Sequence, residues 1–293
     1  MKLLNKIIYK TIGGKIKIGN FNLKLYRNHS LPFILDKYPK YGANLVRLAK
    51  SVCNKHKTLK IFDIGGNIGD TIAMLLSDNA NYKILSVEGD DIYSKVLSSN
   101  FKNNRSVHIY KNFLGSKNET INRSTSRDRG TLKISSTNNY KNTIEITTLD
   151  SLIEKNYECE GAKLLKIDTD GYDNQILYGA KIYLTKIKPV IYFEYDNEFL
   201  KENGENGLDI FDYLEKLRYK TLIFFDNRGR FLISIDITNK RNLTQLDTYI
   251  KNREGSFAYY DIAVFHSEDN DIAESFIKEE GGKAHIPHNE SII

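Results

Sequence analysis

No run of apolar residues in this chain approaches the ~20 that a bilayer crossing needs, so nothing in it reads as a membrane-spanning helix. Cysteine is almost absent. Cys53 and Cys159 are too few for a disulfide framework and show no CxxC or Cys/His spacing of a zinc site, so they read as ordinary thiols of a reducing compartment. The opening MKLLNKIIYK interrupts its short apolar pairs with lysines and lacks the continuous apolar stretch of a secretory signal, so a cytoplasmic location is expected. Acid is missing from the first 60 residues apart from Asp36, against 14 Lys and Arg there, whereas the rest of the chain has 29 basic and 36 acidic residues. The net charge of +6 therefore hides a basic N-terminal segment and an acidic remainder. Such a segment suits an anionic partner, either the inner face of a membrane or a phosphate-bearing or lipid-linked acceptor, or else it is a solvated basic face. It carries no nucleic-acid-binding motif.

What is present fits one sizeable α/β core with appendages: 40% hydrophobic and 27% charged residues over 293 is the balance of a globular domain. Leu3, Leu4, Ile7 and Ile8 share one helical face opposite Lys2, Lys6 and Lys10, a short amphipathic helix. KIKI and FNLKLY alternate around Gly19-Asn20 and predict a hairpin over Lys15–Tyr26, followed by a helix over 40–55. From residue 59 onward short β-rich runs alternate with helical stretches, the pattern of parallel strands joined by crossover helices. The strands are Lys60–Ile64, Lys83–Glu88, Val107–Asn112, Lys163–Asp168 and Val190–Glu194, with helices over 69–78, 91–103, 172–186 and 208–218. Thr221–Asp226 and Arg230–Ile235 form a hairpin, and Ser256–His266 a late strand. The polar stretch 116–143 reads as a loop or lid, with Arg123, Arg127, Arg129, Lys133 and Lys141 available to an acceptor phosphate or simply solvated. The expected divisions are a basic extension over 1–58, an α/β domain over 59–267 and a polar tail over 268–293, with one short helix expected near 271–279.

Three places carry chemistry. In Ile61-Phe62-Asp63-Ile64-Gly65-Gly66-Asn67-Ile68-Gly69-Asp70 a buried strand ends in an acid and turns through glycines into a helix, which opens the backbone to a ligand. The spacing is not Gly-x-Gly-x-x-Gly, and Asp63 would repel a pyrophosphate but suit a cationic amino-acid ligand; a purely structural turn is the alternative. Glu88 ends the next strand, 25 residues after Asp63, where an ionised carboxylate accepts both hydroxyl protons of a ribose. Leu164-Leu165-Lys166-Ile167-Asp168-Thr169-Asp170-Gly171-Tyr172-Asp173 ends a strand in paired carboxylates, able to hold an amine, act as a base or bind a divalent cation such as magnesium, or merely to cap the following helix. Glu194 ends the strand beside them.

Taken in order, FDIGGNIGD, SVEGD, ITTLDSLI, LLKIDTDGYDNQILYGAKIYL and KPVIYFEYD resemble the FkbM-type methyltransferases across about residues 60–196. The resemblance implies a class I, Rossmann-like methyltransferase fold, a doubly wound and mostly parallel sheet with a C-terminal antiparallel strand pair. It also implies methyl transfer from S-adenosylmethionine to a hydroxyl oxygen, commonly of a sugar or natural product. Asp63, Gly65, Gly66, Asn67 and Gly69 would form the cofactor turn, Glu88 would hold the ribose, and Asn112 at the third strand's tip joins this set. Lys166, Asp168 and Asp170 form the expected catalytic set, with a cation bridging Asp168, Asp170 and Glu194 as a further expectation; His108 and His266 are alternative bases. The family often has Glu-Gly-x-Glu where this chain has Asp170-Gly171-Tyr172-Asp173, which shortens the reach of both acids. The rival readings are a metal-dependent glycosyltransferase using Asp168-Thr169-Asp170, which leaves the Asp63 turn and Glu88 unexplained, and a membrane-associated scaffold with a degenerate pocket.

Overall fold

The structure, a computed structural model, describes residues 13–136, 143–202, 204–251 and 258–283. The amphipathic helix expected in the first ten residues lies outside them. Strand β1 (Gly14–Ile18) pairs antiparallel with β2 (Phe21–Leu25), so Gly19 and Asn20 make the expected turn and alternation buries Ile18, Leu23 and Leu25. Helices α1 (Leu31–Lys37) and α2 (Ala43–His56) follow. Then come β3 (Lys60–Ile64), α3 (Asp70–Asp78), β4 (Lys83–Val87), α4 (Asp91–Phe101), β5 (Val107–Tyr110), β6 (Phe113–Leu114), β7 (Glu119–Asp128), β8 (Thr131–Ser136), β9 (Thr143–Thr147), α5 (Leu149–Lys155) and β10 (Leu164–Ile167). The chain continues through α6 (Asp173–Tyr178), α7 (Lys181–Ile187), β11 (Val190–Tyr195), α8 (Asn197–Glu202), α9 (Asp209–Lys216), β12 (Tyr219–Asp226), β13 (Phe231–Asp236), α10 (Lys240–Lys251), β14 (Tyr260–His266) and α11 (Asn270–Lys283).

The main sheet has eight strands in the order β13-β12-β14-β11-β10-β3-β4-β5. Strands β5, β4, β3, β10 and β11 run parallel, β14 runs antiparallel between β11 and β12, and β13 closes the edge against β12. This is the doubly wound sheet expected from the sequence, with the terminal hairpin reached through an inserted antiparallel strand. Strand order reverses between β3 and β10, and the crevice at the carboxyl ends of such a pair is where open α/β sheets bind ligands.

Period-two alternation sorts the central strands between two cores. Phe62, Ile64, Leu85, Val87, Leu165, Ile167, Ile191 and Phe193 face one helical layer, while Ile61, Ile84, Leu164 and Val190 face the other. On that second face the register aligns Ser86, Asp63, Lys166 and Tyr192 as one polar row across four strands. Burying such a row costs free energy unless its members satisfy one another. Here Lys166 pairs with Asp63, the Ser86 hydroxyl donates to Asp63, and Tyr192 accepts from Asn44 on α2.

Two elements differ from the sequence reading. The stretch taken as a loop folds largely into the β7–β8 hairpin, with Asp128 paired to Thr131 and the two turn residues Arg129 and Gly130 both at positive φ, 53° and 108°. Its polar strands escape a hydrophobic-pattern reading because they lie in a separate sheet, ordered β6-β9-β7-β8, over the carboxyl edge. The helix expected over 172–186 is two helices broken at Gly179, where a Cβ would stand 2.1 Å from the Gly115 carbonyl oxygen. The short helix expected near 271–279 is present and longer, as α11 over Asn270–Lys283, and it buries Ile272, Ala273 and Phe276 against the face that holds α2.

Candidate functional site

The turn after β3 is shaped by what crosses it. Gly65 has φ 79°, and a Cβ there would lie 1.9 Å from the Asp168 carbonyl oxygen, so only glycine lets the turn pass beneath the tip of β10. Gly66 lies against Ser86 and Gly69 against Phe101 in the same manner. Asp63 is fully buried with its Oδ1 3.0 Å from Lys166 Nζ; the Asp168 carboxylate is 3.6 Å from the same ammonium, which also donates to the Gly65 carbonyl oxygen at 3.3 Å. Asp63 and Asp168 together hold Lys166 protonated well above its ordinary range, outweighing the opposing effect of burial. Lys166 is thus a fixed cation under the turn and no base.

Glu88 directly follows β4 and is almost completely buried. Its Oε2 accepts from the Asn67 amide and its Oε1 from the Asp90 amide, both at 2.8 Å, and burial pushes its carboxyl up to about 7. A small cavity of about 80 Å³ opens beside it, lined by Gly65, Asn67, Asn112, Phe113, Leu114, Leu132, Ile146, Tyr172 and Ile176 among others. A larger cleft of about 330 Å³ lies on the side of α1 and α2, with Tyr41, Asp70, Glu194, Tyr259 and Asp261 in its wall. Gly65, Asn67, Asp168 and Asp170 line both spaces. At this junction the Asp168 side chain is half exposed, whereas Asp170 sits in a left-handed turn, φ 52°, with Oδ2 accepting from the Leu132 amide at 3.2 Å. Burial and the Asp168 charge raise Asp170 to about 8. Asp173, tied to the Thr169 amide and hydroxyl, reaches about 7 through burial, and burial lifts Asp261 to about 8.

Residues 63–221 match the methyltransferase FkbM domain, more than half of the chain. The chain belongs to the FkbM methyltransferase family. Its sheet is accordingly the class I methyltransferase sheet, and its domain is of the S-adenosylmethionine-dependent kind. Among solved structures it is similar to an FkbM methyltransferase from Methylobacillus flagellatus, 15% identical over 56% of this chain with a TM-score of 0.40, although it spans only 39% of that protein's length. It is also similar to an O-methyltransferase from Bacillus cereus solved with S-adenosylhomocysteine, 14% identical over 78% of this chain and 81% of that one with a TM-score of 0.42. A precorrin-6y C5,15-methyltransferase from Geobacter metallireducens is 12% identical over 72% of this chain and 81% of that one, with a TM-score of 0.38. No curated protein matches the chain.

In the FkbM frame the sequence-expected residues divide clearly. Gly65, Asn67, Glu88 and Asn112 line the small cavity and Asp168 and Asp170 stand at its junction with the cleft, whereas Asp63, Gly66 and Gly69 line neither space and lie behind the turn, against Lys166, Ser86 and Phe101. The expected cation site is corrected: among the described residues no group of three or more His, Cys, Asp or Glu is placed to hold a metal ion. Asp168 faces the Lys166 ammonium and Asp170 is tied to the Leu132 amide, so the two do not turn with Glu194 toward a common point. Family membership removes the glycosyltransferase reading of the same Asp-x-Asp. His108 is exposed on β5 and lines neither space. His266 is buried at the far end of β14, edge-on to Tyr219, and burial lowers its pKa. Sequence reasoning missed Phe113, whose ring covers Gly89, and also His29, Tyr41, Tyr259 and Asp261. Phe113 was within reach, since an aromatic directly after the third strand's tip can enter a cavity there. The others arrive by tertiary packing alone.

Proposed function

We propose that this chain is an O-methyltransferase that transfers a methyl group from S-adenosylmethionine to a hydroxyl of a sugar or glycan precursor. One observation carries the reading: two spaces of different character meet at Gly65, Asn67, Asp168 and Asp170, so a donor in one and an acceptor in the other face each other across two carboxylates. The small cavity's donor set fits the cofactor. Glu88 is placed to accept from ribose hydroxyls, Phe113, Leu114, Ile146 and Ile176 offer an apolar wall to a planar base, and the acids at the junction suit a cationic centre. S-adenosylmethionine supplies, when bound, an electrophilic methyl on a positively charged sulfur. The chain's own residues align the acceptor, exclude water and take the proton.

Asp170 is the base in this reading, because burial brings its pKa near the working pH, where a carboxyl accepts a proton most usefully. Asp168 is steered by Lys166. The carboxyl groups and tyrosines of the cleft suit an acceptor that presents hydroxyls. Calorimetry should detect uptake of S-adenosylhomocysteine, and labelled methyl donor should mark one member of a panel of cell-envelope glycan precursors. Asp170→Asn, which can still accept from Leu132, should lower kcat by roughly 10²- to 10⁴-fold and leave the donor KM nearly unchanged. A well-folded protein that binds neither the donor nor its demethylated product would overturn the reading.

A further inference from the structure

The amide of Asn67 is committed at both ends, and its partners fix an orientation that runs through three separate segments. Its Nδ2 donates to the Gly130 carbonyl oxygen at 2.6 Å, at the tip of the β7–β8 hairpin. A carbonyl can only accept, so Asn67 Oδ1 must face the other way, where it lies 3.2 Å from His29 Nε2. The second ring nitrogen, Nδ1, lies 3.3 Å from the Leu31 amide, which can only donate. Both ends of the relay are thus defined by backbone groups, and the ring between them must carry its proton on Nε2. His29 is buried, its ring stands against the Cα of Gly130, and the next residue donates from the Ser30 amide to the Arg129 carbonyl oxygen at 2.9 Å.

The hairpin tip held in this way lies over the junction. Gly130 and Thr131 line the cleft and Leu132 lines the small cavity, so one short piece of strand roofs both. Two further ties reach the site or its edge: Leu132 donates to Asp170, and Arg127 makes a bidentate ion pair with Asp90, two residues beyond Glu88. We propose that His29 is a positioning residue which, by orienting Asn67, clamps the hairpin tip as a roof over the meeting point of donor and acceptor, and so makes the N-terminal segment part of the catalytic unit. The role rests on the methyltransferase reading for its consequence, and on the geometry alone for the clamp. Without the His29 donor, Asn67 Oδ1 is left unpaired, the amide can turn away from Gly130, and the Asn67 backbone that donates to Glu88 loses its side-chain anchor.

The test separates donor from acceptor at the ring. His29→Asn keeps an acceptor near Leu31 but offers no donor to Asn67, whereas His29→Gln restores a donor where Nε2 stood. The Asn variant should bind S-adenosylhomocysteine roughly three- to tenfold more weakly, raise the donor KM more than it lowers kcat, and speed hydrogen exchange across residues 119–136. The Gln variant should recover most of each loss. Equal affinity and equal exchange in wild type and the Asn variant would overturn the clamp. If wild type itself takes up no S-adenosylhomocysteine, the methyltransferase reading fails, and hairpin exchange still reports on the clamp. If the Asn variant does not fold, nitrogen-15 spectra of the wild-type imidazoles decide: His29 should be the Nε2–H tautomer, and an Nδ1–H ring or an imidazolium at neutral pH would overturn the proposal.

Discussion

At the scale of the residue, the site is a set of carboxyl groups that keep their protons unusually long. Burial raises Asp170 and Asp261 to about 8 and Glu88 and Asp173 to about 7. A carboxyl whose pKa is raised on folding stabilises the fold at low pH and loses that contribution as pH climbs through the folded value. The ligand-free protein should therefore lose stability from about pH 4, where the unfolded carboxyls ionise, up to about pH 8 and level off above it, measured by denaturant unfolding at fixed salt; a flat or rising profile between about pH 5 and pH 7.5 would count against the raised values. A cationic ligand acts oppositely, because it favours the ionised carboxyls. Affinity for S-adenosylmethionine should rise over the same window, more steeply than for S-adenosylhomocysteine, whose sulfur is uncharged. Asp63, Glu88 and Asp170 were legible in the sequence because each follows a short apolar run whose end is a strand's end. His29, Tyr41 and Tyr259 were not, since their distance from the motifs along the chain says nothing about their distance in space.

At the scale of the element, the parallel strands were legible for the reason that burial on both faces demands unbroken apolar runs, as in KIFDI and KILSV. The β7–β8 hairpin was not, because ETINRSTSRD has no apolar face to announce it and is held by ladder bonds and by ties to the site. Helix α11 was legible only as a short helix near 271–279, because in NDIAESFIKEEGGK only Ile272, Ala273 and Phe276 are buried apolar positions. What fastens it is an ion pair: Arg47 on α2 holds the buried Glu280 carboxylate through two bonds of 2.5 and 2.6 Å. Arg47→Leu removes both of these bonds from a buried carboxylate and should destabilise the protein by about 2 kcal/mol, less than a fully buried pair because the arginine is partly exposed. Thermal unfolding and proteolysis at α11 would show it, and Arg47→Leu combined with Glu280→Met should recover part of the loss.

At the scale of the whole molecule, charge and connectivity matter more than any one contact. Lys15, Lys17, Lys24 and Arg27 are exposed on and just after the N-terminal hairpin, away from the acidic cleft. If this basic surface meets anionic lipid, the protein should co-sediment with phosphatidylglycerol vesicles at low salt, release in high salt and ignore neutral vesicles; no sedimentation would leave a solvated face. Among the described residues no helix is long and apolar enough to cross a membrane. The inserted β14 has a different kind of consequence. Because it pairs with both β11 and β12, the sheet holds an open slot until residue 266 has left the ribosome. A nascent chain that already contains every motif of the donor site would still present the naked rim of β11 to other strands. Such a chain depends on holdase protection during synthesis, and one halted before β14 is a substrate for degradation rather than a smaller enzyme.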